Sequence, residues 1–396
     1  MGYLSNRNVN LLNMHGSIMR LADVAIVTFG PIYMYKLGIP LGYVFLLMAG
    51  INLFRIPFRL AIIPMMRGLG IKNSLIVGAM FRCITPVFLI GADASLWWLA
   101  GYVLYSGFAS ATYWTSFHCF YTLSGDRVNR GKHFAVGEAA KMVLVALAPY
   151  LSGLFIEKQG FTLYFCVTIS LAILSVIPLL MSQTIAFEGK WERSDWKDAL
   201  RSFGCRSRPW QAYVVDGYAS FWPFLVMFAL GDFSKVGAIF TAGMLTQAGL
   251  QLVLGHYIDK GHIWRIYTVS TLLMIVAICA MGFTPLTLVT AGMLEMLIAF
   301  AFVGQSAAYI TSLYNEAHAA PNVLIQWICS ETFLDLGIIF VRVLGAALFF
   351  MDVSLNHILL VVLPGIAVFY FAMRGYVMGR SKITKFDTPN VARRLN

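Results

Sequence analysis

The sequence predicts an all-α membrane protein of about twelve transmembrane helices arranged as two pseudo-symmetric six-helix bundles. Three observations lead there: twelve apolar stretches long enough to cross a bilayer, a composition of 59% hydrophobic and 12% charged residues over 396 positions, and an internal repeat at an offset of 193 residues. A soluble domain carries roughly 25% charged residues and could not hide so much apolar surface. About 20 apolar residues, rising about 1.5 Å each as a helix, cover the hydrocarbon core.

The spans fall at 11–36, 41–63, 73–92, 95–122, 133–156, 161–182, 211–233, 236–258, 264–284, 286–313, 323–351 and 355–377. The first run, from Leu11, is already a full span with no small-residue cleavage pattern behind it, so it is expected to stay in the mature protein. The second holds Arg55 and Arg59 around Pro57, and the third Arg82. The fourth opens on Trp97 and Trp98, which suit the membrane interface, and the fifth contains Glu138, Lys141 and Pro149. In the second half, Asp216 lies on the seventh span, Glu295 on the tenth, and Glu331, Asp335 and Arg342 on the eleventh.

Most connections are tight hairpins, the exception being the charged and amphipathic stretch from Gln183 to Pro209. It separates an N-terminal six-helix bundle (1–182) from a C-terminal bundle with its tail (211–396), leaving 183–210 as a cytoplasmic central loop. Shifting by 193 places Asp23 on Asp216, Glu138 on Glu331, and Met66-Arg67-Gly68 on Asp259-Lys260-Gly261, each in an equivalent span or loop. Three matches at one offset argue for duplication, with the halves enclosing a central cavity.

Basic residues occupy alternate loops. One side collects Arg7, Arg67, Lys72, Arg127, Arg130, Lys132, the central segment, Lys260, Arg265 and the tail from Arg374 to Arg394; the other has only Lys36, Lys158 and Lys235. The positive-inside tendency therefore places both termini in the cytoplasm, in a multi-pass protein of the inner or plasma membrane. Orientation accounts for most of the net charge of +11, and no nucleic-acid partner is expected. The six cysteines are scattered without a Cys-x-x-Cys pair, so neither a metal nor a cofactor is expected. No Gly-x-x-x-x-Gly-Lys-Ser/Thr loop, His-Glu-x-x-His helix or Gly-x-Ser-x-Gly turn is present, which argues against an ATPase and an enzyme.

After the eighth span comes Gly255-His256-Tyr257-Ile258-Asp259-Lys260-Gly261, followed by Arg265. This loop resembles the Gly-x-x-x-Asp-Arg/Lys-x-Gly-Arg-Arg/Lys motif of the major facilitator superfamily, shortened by one residue and with His262 and Ile263 at the basic pair. In the first half, Met66 stands where that family has its acid. Ala148-Pro149-Tyr150-Leu151-Ser152-Gly153 is similar to the tail of the family's glycine-proline motif of exchangers, Gly-Pro-x-x-Gly-Gly, and leans towards export. The resemblance implies alternating access by rocking of two bundles, a midplane site lined by spans 1, 4, 7 and 10, and gating contacts at Gly255, Asp259 and Lys260.

Charge at bilayer depth points to a site independently, since an Arg, Lys or Asp at a helix centre costs about 2.5–3.5 kcal/mol on insertion scales. Asp23, one turn from Arg20, is a candidate for exchanging a proton or touching cargo; an ion pair with Arg20, Arg55 or Arg82 is the alternative. Arg55 and Arg82 could recognise an anionic group or pair with Asp23 or Glu138, while Arg59 is expected to snorkel to the cytoplasmic interface. Glu138 and Lys141 suit a static pair, and Glu331, Asp335 and Arg342 form one acidic-to-basic stripe on span 11; the family resemblance implies that spans 5 and 11 meet the opposite bundle, which makes all five expected gating contacts. Glu295 has no basic residue on its own helix and requires a partner from elsewhere or a proton.

Trp114, His118, Trp222, Gln305 and Tyr309 complete an expected pocket with Asp216. The function expected is secondary active transport of a small organic solute, proton-coupled, with export favoured over uptake, by a monomer in the lipid bilayer. A lipid or amphiphile flippase on the same scaffold, or a non-transporting membrane receptor, stays open as the alternative.

Overall fold

Hydrocarbon offers no partner for a backbone N–H or C=O, so a chain this apolar must satisfy its backbone internally. In the computed structural model, which describes residues 6–124, 142–143, 145–185, 192–259 and 263–386, it does so with helices. These are α1 (Arg7–Val24), continued through a π-helical turn (Ala25–Phe29) into α2 (Gly30–Lys36), then α3 (Leu41–Ala92), α4 (Trp97–Ser124) and α5 (Ala148–Leu180). A short α6 (Arg193–Arg201) leads to α7 (Phe203–Leu230), α8 (Phe233–Asp259), α9 (Ile263–Phe283), α10 (Leu288–Ala319), α11 (Val323–Phe350), α12 (Leu355–Leu359) and α13 (Val362–Phe386). Among the described residues, eight helical segments are long and apolar enough to cross a membrane.

At 52 residues α3 far exceeds one crossing, and it breaks at Gly70, whose φ of 76° lies where only glycine is unstrained. Its two arms fold back along α4: a Cβ added to Gly78 would meet the Tyr113 backbone at 2.8 Å, and one on Gly107 would meet Phe54 at 2.9 Å. Gly160, φ 79°, breaks α5 in the same manner. Lys72 donates to the Leu180 carbonyl at 3.1 Å and also to that of Ser182, tying the α3 turn to the end of α5.

Helices of the first half pack on one another, α4 and α5 on α3 and α1 on α5; those of the second do likewise, α8 and α9 on α10 and α11 and α13 on α7. The halves meet along two seams, α3 with α11 and α5 with α8. At the second seam Gly153 and Gly237 let backbones touch: a Cβ on Gly237 would lie 2.7 Å from the Pro149 carbonyl carbon, and one on Gly153 2.6 Å from that of Phe233. The motif tail Ala148 to Gly153 therefore sits at the junction between halves. Ser234 N–H, at the start of α8, donates to Glu157 of α5 at 2.8 Å.

Helix α7 begins earlier than the expected 211. Ser202 caps it by accepting from Cys205 N–H at 3.2 Å, and Glu316 of α10 accepts from Phe203 and Gly204 N–H, each at 2.7 Å. The first turn is thus held from both ends of the sequence gap, which brings Arg208 inside a spanning helix.

Candidate functional site

A cavity of about 620 Å³ lies between the halves. From the first half it is lined by Arg20 and Asp23 of α1 and by Trp114 and His118 of α4; from the second, by Arg208 and Tyr218 of α7, Gln247 and Gln251 of α8, Tyr314 of α10 and Trp327 of α11. Rings form its floor on the side of the chain termini. His118 stacks between Trp114 (centroids 5.6 Å apart) and Trp327 (4.4 Å), crossing from one half to the other. Its Nδ1 lies 2.7 Å from the Tyr314 hydroxyl, and Trp327 Nε1 donates to Thr122 at 2.9 Å, so hydrogen bonds fix both rings of the crossing stack.

Four groups of buried charge surround this space. Asp23 pairs with Arg82, whose guanidinium stands 4.8 Å from the Tyr113 ring centre and 5.6 Å from that of Trp114. Asp216 pairs with Arg342 at 2.7 Å, and the same arginine donates across the seam to the Met48 carbonyl at 2.7 Å. Glu295 accepts from Trp222 Nε1 at 2.8 Å and from the Tyr218 hydroxyl; no basic group pairs with it among the described residues. The largest group joins Arg55 and Arg59 of α3 to Glu331 and Asp335 of α11: Arg55 reaches Asp335 at 2.9 Å and Glu331 at 3.7 Å, and Arg59 reaches Glu331 at 3.5 Å and pairs closely with Asp335. Arg208 joins Glu331 at 2.6 Å, and His118 Nε2 lies 3.6 Å from it.

Several sequence expectations change. Arg59 does not snorkel: it is fully buried, because carboxylates of the facing half stand opposite it. Arg55 pairs with Asp335 and Glu331 and not with Asp23, which goes to Arg82. Arg342 leaves the stripe expected with Glu331 and Asp335 and turns to Asp216 on α7. The repeat-related Asp23 and Asp216 thus use partners at unrelated positions, and Asp216 does not line the cavity.

Trp222, Gln305 and Tyr309 are buried against protein instead of facing the cavity: Trp222 on Glu295, Gln305 donating to Thr271 at 2.8 Å, and Tyr309 3.2 Å from Ser207. Arg20, Asp23, Trp114 and His118 do line it. Glu138, Lys141 and Lys260 lie outside the described residues; Gly255 and Asp259 fall on the last turns of α8, and only their backbone is described. Arg208, Tyr218, Tyr314 and Trp327 were missed. Pro209 read as a loop residue and put Arg208 outside the membrane; Ser202, a good N-cap, was the available signal for an earlier start.

No protein-family model matches the chain, and no curated protein matches it. Solved structures do. The chain is similar to the E. coli fucose:proton symporter FucP, at 11% identity over 94% of this chain and 99% of that one, with a TM-score of 0.67. It is similar to the human organic anion transporter MFSD10, at 12% identity over 92% and 98%, TM-score 0.68, and to the nucleoside transporter NupG, at 12% identity over 93% and 98%, TM-score 0.67. FucP is also solved, as a major facilitator superfamily transporter, in an outward conformation, and that structure aligns at 10% identity over 94% and 99% with a TM-score of 0.65. The shared property is the fold.

Proposed function

From this major facilitator fold we propose that the chain is a secondary active transporter that moves a small organic solute by alternating access. The observation that carries the reading is the cavity itself, whose wall is shared by both halves and whose rings and buried charges come from α1, α4, α7, α10 and α11. Rocking of one half against the other exposes such a cavity to each side in turn. The two seams suit that motion. The α5/α8 seam rests on glycine contacts, and the α3/α11 seam on ion pairs that can break as water enters.

Coupling to a proton is proposed through Asp23 and Glu295. Asp23 lines the cavity, within reach of solute, and pairs with Arg82, and Glu295 stands one hydrogen bond behind the cavity through Tyr218. Export is favoured over uptake by the Ala148 to Gly153 motif tail alone. The loop charge favours both termini on the cytoplasmic side, and a monomer is the proposed unit, since both halves that wall the cavity belong to one chain.

The test is a toxicity and growth screen across small solutes with wild type and Asp23→Asn, followed by flux of each hit in reconstituted vesicles. Solute movement down its own gradient, accelerated by an imposed proton gradient in wild type only, is the expected result. Flux unaffected by that gradient removes the coupling and leaves facilitation or exchange; absence of flux for every hit removes transport.

A further inference from the structure

The buried cluster at the α3/α11 seam is unbalanced. Three guanidinium groups, Arg55, Arg59 and Arg208, meet two carboxylates, Glu331 and Asp335, among the described residues. A buried cation without a counter-charge is costly, and proteins normally complete such a group with another anion. The donors show the same shortfall. Arg208 gives one terminal nitrogen to Glu331 at 2.6 Å and the other to Gln211 at 3.4 Å, while its Nε is buried with no acceptor. The Nε atoms of Arg55 and Arg59 are in the same condition. Of the three arginines, only Arg208 borders the cavity, and it is 5% exposed.

The surroundings of Arg208 fit a ligand with an apolar or planar body. The stack of Trp114, His118 and Trp327 lies alongside it in the cavity wall, and Gln247 and Gln251 supply neutral polar groups from α8. A cationic ligand has less to meet: Asp23 is the carboxylate among the described lining residues, and Arg82 already neutralises it.

We propose that the cavity takes an organic anion, its carboxylate, sulfonate or phosphate group seated at Arg208 and its apolar body against the ring floor. The anion supplies the third negative charge that the described residues lack, beside a guanidinium oriented by Glu331. This rests on the transport reading but concerns the sign of charge that the cavity selects. The same contact gives the cargo a route to influence the seam, since an anion on Arg208 competes with Glu331, which also holds Arg55 and Arg59.

Three probes of one shape decide it: 2-naphthalenesulfonate, neutral 2-naphthalenesulfonamide and cationic (2-naphthylmethyl)trimethylammonium, each titrated calorimetrically against the full chain in nanodiscs of uncharged lipid. The sulfonate is expected to bind at least about tenfold more tightly than the other two, the scale of a charge-assisted hydrogen bond. Arg208→Gln leaves two arginines on two carboxylates, so it is expected to fold, to melt no lower than wild type without ligand, and to lose the preference. Arg208→Lys, which keeps charge without the fork, is expected to retain part of it. Equal or tighter binding of the sulfonamide or the ammonium probe, no binding of any probe, or a sulfonate preference that survives in folded Arg208→Gln overturns the proposal. The probe order on the unmodified protein stands even if the variant does not fold. Counterflow of the probes in vesicles separates the two readings: flux without anion preference sinks the anion site alone, and selective binding without flux sinks transport alone.

Discussion

Arg59 and Asp335 form an ion pair in which neither side chain is exposed, and the two residues belong to opposite halves of the molecule, 276 positions apart in sequence. Arg55 lies against the same carboxylate at 2.9 Å, so one acid of α11 holds two arginines of α3. Such a pair joins the halves only while it stays dry, because water on either partner offers each charge a comparable alternative.

Removal of one partner should therefore be severe. Asp335→Asn leaves Arg55 and Arg59 sharing Glu331 and is expected to cost about 3–5 kcal/mol, the usual penalty for an orphaned buried charge. Replacement of Arg59 and Asp335 together by Met and Leu should recover most of it. Thermal melting of the three proteins in one detergent checks this; equal melting of Asp335→Asn and wild type would falsify it.

The glycine seam makes a geometric prediction. A Cβ on Gly237 has backbone and not a movable side chain in front of it, so Gly237→Ala is expected to push α5 from α8 at a cost of about 1–3 kcal/mol. Opening that seam should expose the cavity on the face opposite the termini. Maleimide labelling of Val215→Cys, a cavity position, should speed up from that face in the Gly237→Ala background. Unchanged labelling with unchanged melting would show that the helices part without consequence.

Glu295 receives hydrogen bonds from Tyr218 and Trp222, and an amide oxygen can accept both. Glu295→Gln is expected to melt close to wild type yet lose acceleration of flux by a proton gradient. Glu295→Ala strands two buried donors and should be destabilised by about 1–3 kcal/mol for each. If Glu295→Gln keeps full proton-driven flux, the residue only supports Tyr218.

Asp23→Asn leaves Arg82 facing the aromatic rings of Tyr113 and Trp114 without its carboxylate. Gradient-driven accumulation should vanish, and exchange of solute at equal proton concentration should persist. The double variant Asp23→Asn, Arg82→Gln should melt higher than Asp23→Asn alone, since it removes the orphaned charge.

The helices, their number and the presence of costly charges in them were legible because each depends on local chemistry: length and hydropathy for a span, and the residue itself for a charge. Gly70 and Gly160 break their helices in the gaps expected between apolar spans, 64–72 and 157–160. Partner choice was not legible in the same way. The periodicity of α11 put Arg342 near Asp335 on one helix, yet in space Asp216 of α7 stood closer to it. Trp222, Gln305 and Tyr309 had the right residue types on the right spans but point to Glu295, Thr271 and Ser207, because helix rotation about its axis is set by neighbours.

By itself the sequence determined that this chain crosses a membrane many times and that it carries charged residue types within its spans, and its 193-residue offset pointed to two related halves. Only the tertiary structure decided which of those groups neutralise one another, that Arg208 belongs among them, and that among the described residues three arginines share two acids at the seam. Hydrophobic burial sums over a segment and so can be read along a chain. Charge pairing needs two groups within a few ångströms that stand far apart in sequence, and it exists only once the helices are packed.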